Sequence, residues 1–134
     1  MKLTPNQSKK LKKLGVQAVY LFGSRALGLA HARSDYDYAV LHEKSGHKRG
    51  GKLYQELYEI LSEISPRTLR NDVIDIVFLR DVGLEIQFHV VQNGKVIFDR
   101  DPSARYDFTA RTTLLYCDFR PVLVEMDRVI LEGL

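Results

Sequence analysis

Three carboxylates lie in segments whose composition is otherwise typical of buried β-strands. Asp35 and Asp37 open the segment D-Y-D-Y-A-V-L, and because side chains alternate along a strand, both would point to the same face. Asp75 lies inside the apolar segment D-V-I-D-I-V-F-L, where burying it without a partner would be costly. If the two strands are neighbours, the three carboxylates converge and need a counter-cation. Hard oxygen ligands without histidine or thiolate favour Mg²⁺ or Mn²⁺ over zinc.

A second group of residues has the chemistry of a phosphate-binding turn. The apolar segment V-Q-A-V-Y-L-F is followed by Gly23 and Ser24, and a strand that ends in such a turn presents backbone N–H groups to an anion. Gly23 would let a phosphate approach the backbone closely, Ser24 could donate to a phosphate oxygen, and Arg25 could supply a positive charge. Carboxylates for a metal ion beside a turn for phosphate indicate metal-assisted phosphoryl or nucleotidyl transfer.

Each of these features also has a purely structural interpretation. Asp35 and Asp37 could form the solvated start of a strand, and Asp75 could form a structural salt bridge with Arg70 or Arg80. The combination of the carboxylates with the Gly-Ser turn upstream favours the catalytic interpretation.

Hydrophobic periodicity predicts an α/β (α+β) arrangement, with a small mixed sheet flanked by helices and a long C-terminal helical segment. The segment 42–52, H-E-K-S-G-H-K-R-G-G-K, is predicted to be a polar loop. The predicted elements are a lysine-rich helix between residues 4 and 15, a strand at 16–22, a short helix at 25–30, a strand at 35–41, a helix at 53–64, a strand at 72–79, a helix at 83–91, a strand at 95–98, and a helix from 102 to about 131 that could break at residues 120–121.

Length and composition predict one ordinary globular domain spanning residues 1–134. Hydrophobic residues make up 45% of the chain and charged residues make up 28%, and the net charge of +3 is compatible with a nucleotide or nucleic-acid partner and equally with plain solubility. We do not expect direct nucleic-acid binding. A single cysteine excludes an internal disulfide, and the chain has neither a membrane-length apolar run nor a signal-peptide apolar block. We therefore expect a cytoplasmic protein without a membrane partner.

The order of these motifs resembles the DNA polymerase β-like nucleotidyltransferase superfamily. The resemblance rests on L-F-G-S-R-A-L-G, S-D-Y-D-Y-A-V, I-D-I-V-F-L and V-V-Q-N-G-K-V-I-F-D, which follow the superfamily order across most of the chain. Within the superfamily, the sequence is similar to the minimal nucleotidyltransferases (MNT proteins), which are the antitoxins of HEPN–MNT toxin–antitoxin pairs. The tail R-Y-D-F-T-A-R-T-T-L-L-Y-C-D-F-R-P also resembles their C-terminal helix. The polar segment 42–52 has no feature of the family.

The resemblance implies the polymerase β-like fold and a role for each candidate residue. Asp35 and Asp37 would ligate two metal ions, Mg²⁺ or Mn²⁺, and Asp75 would complete the metal site and help to activate the attacking hydroxyl. Gly23 and Ser24 would hold the β- and γ-phosphates of a nucleoside triphosphate, commonly ATP. An in-line attack on the α-phosphate would then release pyrophosphate.

The resemblance also implies a protein partner. In the family, AMP is transferred to a tyrosine hydroxyl of the HEPN ribonuclease toxin, with which the MNT protein forms a hetero-oligomer, and the modified toxin is inactive. We expect no second domain that could bind a template, a tRNA or an antibiotic, and this favours a protein as the acceptor. Two alternatives stay open: an antitoxin that acts by binding while its catalysis is dispensable, and a small-molecule nucleotidyltransferase whose pocket a homodimer would complete.

Overall fold

A computed structural model describes residues 2–23, 36–65 and 74–132 of the chain. These ranges contain four strands and four helices, and a 3₁₀ turn, Leu79–Asp81, follows the third strand. The elements are α1 (Pro5–Lys13), β1 (Val16–Phe22), β2 (Tyr36–His42), α2 (Lys52–Ile64), β3 (Ile74–Phe78), α3 (Leu84–Asn93), β4 (Lys95–Asp99) and α4 (Pro102–Glu132).

The predicted elements within the described residues are confirmed with small shifts of their ends. β1 has the predicted bounds, and β3 ends one residue earlier than predicted, while the first two residues of the predicted strand, 72 and 73, lie outside the described residues. α4 is continuous through Pro121, so the alternative of two helices broken at residues 120–121 is wrong. Pro121 is exposed on this helix. The predicted short helix at 25–30 lies outside the described residues.

The first helix begins with a complete capping box. The Thr4 hydroxyl oxygen accepts from the backbone N–H of Gln7 at 3.2 Å, and the Gln7 side-chain oxygen accepts from the Thr4 N–H at 2.8 Å. Pro5 occupies the first helical position, where a missing N–H costs nothing. Gly15, at φ +85°, turns the chain directly into β1.

The four strands form one mixed sheet in the order β3-β2-β1-β4. β1 is antiparallel to both β2 and β4, whereas β2 and β3 are parallel. The register places Asp37 opposite Phe22 on one side and opposite Asp75 on the other. The two aspartate-bearing strands are therefore neighbours, as the convergence of their carboxylates requires.

Helices cover both faces of the sheet and create two cores. On one face α1 and α2 pack against strand residues such as Tyr38 and Ile76. On the other face α3 and α4 contribute Val90 and Phe108 to a smaller core. Alternation along β2 and β3 places Asp37 and Asp75 on this second face, at the end of the sheet where the smaller core stops. No helix among the described residues is long and apolar enough to cross a membrane.

Two buried tyrosine hydroxyls differ in how they are satisfied. The Tyr38 hydroxyl lies 2.5 Å from the Ser65 hydroxyl oxygen, and because Ser65 donates its own proton to the Leu61 carbonyl oxygen, Tyr38 is the donor of that pair. The Tyr20 hydroxyl oxygen is buried and forms no hydrogen bond with the part of the chain that the structure describes. The neighbouring Thr109 hydroxyl donates to a backbone carbonyl instead, and burial raises the pKa of the Tyr20 hydroxyl.

We expect Tyr38→Phe to lower the free energy of unfolding by about 1 kcal/mol, because it removes a satisfied buried hydrogen bond. Tyr20→Phe is its matched control and should be neutral within about 0.5 kcal/mol, or stabilising, because it removes a buried hydroxyl that is poorly satisfied. Urea unfolding followed by circular dichroism measures both. Equal losses of unfolding free energy in Tyr38→Phe and Tyr20→Phe would show that the hydrogen bond from Tyr38 to Ser65 adds no stability.

Candidate functional site

The candidate site forms where β1 ends and where β2 and β3 begin. Asp37 and Asp75 are register partners on adjacent parallel strands, so their side chains project from the same face of the sheet. Both line an open cleft of about 370 Å³, called the carboxylate cleft below. Its lining residues are Phe22, Asp37, Asp75, Val77, Glu85, Ile86 and His89.

Gly23 follows Phe22 at the end of β1 and lies so close to Asp37 that it has no room for a side chain. Its φ is +76°, a conformation that L-residues adopt with strain. A Cβ added at this position would lie 2.5 Å from Oδ2 of Asp37. Glycine therefore lets the backbone at the end of β1 approach the Asp37 carboxylate closely.

Asp75 is held at the other side of the cleft by an ion pair. Its Oδ1 lies 3.6 Å from Nη2 of Arg49, and the two side chains are 38% and 71% exposed, respectively. The alternative pairing with Arg80 is wrong, because the Arg80 guanidinium donates to the His42 carbonyl oxygen at 2.6 Å and to the Gln17 side-chain oxygen at 3.0 Å.

The other residues named in the sequence prediction fall outside the described ranges. These are Arg70, as a second possible partner of Asp75, and three predicted site residues, namely Ser24, Arg25 and Asp35. The predicted site residues that the structure does describe, Gly23, Asp37 and Asp75, lie together at one end of the sheet.

Three polar residues of this region were missed by the sequence reasoning. Glu85 and His89 are four residues apart on α3 and line the carboxylate cleft from the side opposite the sheet. The His89 ring also packs edge-on against the ring of Phe22, with centroids 6.4 Å apart. Their spacing is visible in the sequence, but the docking of α3 over this end of the sheet is not. Arg49 was missed because it lies in the polar loop.

The two described carboxylates fit a divalent cation that shares its coordination with a substrate. Magnesium is commonly bound by one or two carboxylates, with phosphate oxygens and water completing the coordination shell. Within residues 2–23, 36–65 and 74–132, no three His, Cys, Asp or Glu side chains come together as a metal cage. Asp37 and Asp75 supply hard oxygen donors on one face of the sheet, and both line the carboxylate cleft.

Comparison with known proteins identifies a family over most of the chain. Residues 7–103 match the family described as "Polymerase beta, Nucleotidyltransferase". The protein adenylyltransferase MntA of Aphanizomenon flos-aquae (strain 2012/KM1/D3) is 31% identical over 106 residues, which span 75% of this chain and 67% of that protein.

Solved structures show the same fold. A chain from a toxin–antitoxin complex crystallised with AMP-PNP superposes with a TM-score of 0.69 at 26% identity, over 96% of this chain and 99% of that one. A chain from the complex of tri-AMPylated Shewanella oneidensis HEPN toxin with MNT antitoxin gives a TM-score of 0.60 at 23% identity, over 93% and 97% of the two chains. The predicted polymerase β-like fold, with its small mixed sheet and flanking helices, is thereby confirmed.

We expect Gly23→Ala to destabilise the protein more than Gly50→Ala. Both glycines have similar backbone angles, φ +76° and φ +81°, so both substitutions carry a left-handed strain of about 1 kcal/mol. Only at Gly23 would the new methyl group meet a side chain, the Asp37 carboxylate, whereas open space surrounds Gly50. Urea unfolding of the two variants measures the difference, and equal destabilisation would contradict the close approach of Gly23 to Asp37.

Proposed function

This chain belongs to the polymerase β nucleotidyltransferase family, and we propose that it transfers AMP from ATP to a partner toxin of the HEPN type. The observation that carries the proposal is the in-register pair Asp37 and Asp75, which face one cleft, with the main chain of Gly23 close to the Asp37 carboxylate. This arrangement provides oxygen ligands for a divalent cation next to a place where a phosphate can approach the main chain.

In the proposed site each residue has a distinct task. Asp37, with Asp35 two residues earlier on the same chain segment, would hold Mg²⁺ or Mn²⁺ ions, and Asp75 would complete the ligand set. Bound there, the cations would stabilise the negative charge that develops on the attacking and leaving oxygens. Gly23 and Ser24, with Arg25, would orient the triphosphate so that its α-phosphorus faces the acceptor hydroxyl.

The transfer itself is a displacement at the α-phosphorus. The acceptor oxygen forms a bond to phosphorus, the bond to the bridging oxygen of the β-phosphate breaks, and pyrophosphate leaves. Asp75, which is 38% exposed, can take up the proton that the acceptor hydroxyl loses. Its exposure is compatible with an acceptor that comes from a second molecule.

The comparisons support a protein as that acceptor. The relative from Aphanizomenon flos-aquae is named a protein adenylyltransferase, and a structurally similar complex contains AMP-PNP. Another structural neighbour comes from the complex of a tri-AMPylated HEPN toxin with an MNT antitoxin. We propose that this chain likewise forms a hetero-oligomer with a HEPN toxin, modifies a tyrosine hydroxyl of it and thereby neutralises it.

We expect Asp37→Asn and Asp75→Asn each to slow AMP transfer by about a hundredfold or more, because weaker metal binding removes several kcal/mol of transition-state stabilisation. The assay incubates the protein with labelled ATP, Mg²⁺ and the purified partner toxin. Asp107→Asn is the matched control, since it makes the same change at an exposed carboxylate on α4. Undiminished transfer in both site variants would contradict the proposed roles of the two aspartates.

Binding without catalysis predicts a different outcome in cells. If modification neutralises the toxin, Asp37→Asn should fail to rescue toxin-expressing cells at an expression level where Asp107→Asn rescues them fully. Full rescue by Asp37→Asn, with complex formation intact in a pull-down, would instead indicate neutralisation by binding.

A further inference from the structure

The polar loop between β2 and α2, residues 43–51, is held against the carboxylate region. The Asp81 carboxylate accepts from the backbone N–H of Gly46 at 2.7 Å and from that of His47 at 3.2 Å. The His47 ring packs on the rings of His42 and Phe78, with centroid distances of 4.4 and 5.3 Å. The loop therefore has a fixed position relative to the end of β3, although it is polar and glycine-rich.

This anchoring brings Arg49 to Asp75. The loop and β3 enclose a second cleft of about 250 Å³, lined by His47, Arg49, Asp75 and Val77 among others. Asp75 and Val77 also line the carboxylate cleft, so the two clefts meet at the Asp75 carboxylate. Arg49 approaches this carboxylate from one side while Asp37 lies beside it on the neighbouring strand.

The charges explain why a guanidinium is stable at this position. Carboxylates on adjacent strands that face one cleft repel each other, and a nearby cation lowers that repulsion. A divalent cation bound by Asp75 would use the same oxygen lone pairs and would repel Arg49 at short range. Arg49 and a divalent cation therefore compete for one carboxylate.

We propose that Arg49 is the resident counter-cation of Asp75, and that a divalent cation displaces it when it binds. The inference rests on the proposed function, because it takes Asp75 to be a metal ligand. Arg49 is a positioning residue in this scheme. It offsets the negative charge of Asp75 while no metal ion is bound, and it leaves Asp75 when a divalent cation binds. Since exposed ion pairs are weak, the displacement is reversible and its effect on metal affinity is modest.

The direct test is Mn²⁺ binding without nucleotide, followed by electron paramagnetic resonance of the free ion. Arg49→Gln should bind Mn²⁺ about two- to fivefold more tightly than the protein without substitutions, in line with the strength of an exposed ion pair. Lys48→Gln is the matched control because it removes the same charge from the neighbouring position, and no ion pair of Lys48 is formed within the described ranges. The Mn²⁺ binding that is lost in Asp75→Asn is the part that depends on this site.

A second readout follows the loop itself. In the protein without substitutions, Mn²⁺ or Mg²⁺ should modestly speed hydrogen exchange of the amides of residues 49–51, because Arg49 no longer ties this part of the loop to Asp75. The amides of Gly46 and His47, which donate to Asp81, should exchange as before. In Arg49→Gln the amides of residues 49–51 should already exchange at the faster rate, and the cation should change it little. Lys48→Gln should respond to the cation as the unmodified protein does.

The possible failures are distinguishable. If Arg49→Gln and Lys48→Gln tighten Mn²⁺ binding equally, the effect is general electrostatics and the inference is wrong. Unchanged affinity in Arg49→Gln, with binding that is lost in Asp75→Asn, overturns the inference and leaves the proposed metal site intact. If the unmodified protein shows no Mn²⁺ binding that depends on Asp75, the metal site of the proposed function fails, and the inference fails with it.

Discussion

The parallel register between β2 and β3 is the constraint on which the candidate site depends. It places Asp37 directly opposite Asp75, on strands that lie about 4.8 Å apart in a regular sheet. Because side chains alternate with a period of two, a slip of one residue would turn Asp75 toward the core and Ile76 toward the cleft. The geometry of the carboxylate pair is thus decided by strand pairing and not by the aspartates themselves.

The larger core keeps that register in place. Tyr36, Tyr38, Ile74 and Ile76 are buried under α1 and α2, and they alternate with the residues that face the cleft. A register slip would expose these side chains and bury charged groups, with a cost of about 1.5–3 kcal/mol for each large apolar side chain lost from the core. Residues remote from any chemistry therefore maintain the spacing of the two carboxylates.

The sequence predicts the strands and the aspartates well because both depend on local patterns. β1 and the positions of Asp37 and Asp75 follow from apolar runs and alternation. That β2 and β3 are adjacent in the sheet could only be assumed from the sequence and not predicted. Glu85 and His89 reach the cleft because α3 docks on one face of the sheet, and Arg49 reaches it through hydrogen bonds from Gly46 and His47 to Asp81. Such contacts join distant parts of the chain and leave no periodic signal.

The two carboxylates of the cleft have unequal surroundings, and this inequality suits their proposed tasks. Gly23 brings main chain against Asp37, where any larger residue would displace the carboxylate. Asp75 instead faces an exposed guanidinium on a loop. A ligand that must stay in place benefits from a rigid neighbour, whereas a carboxylate that exchanges partners during turnover benefits from a weak one. In the proposed scheme the polar loop, in which the sequence reasoning found no family feature, would supply the weakly bound partner of Asp75.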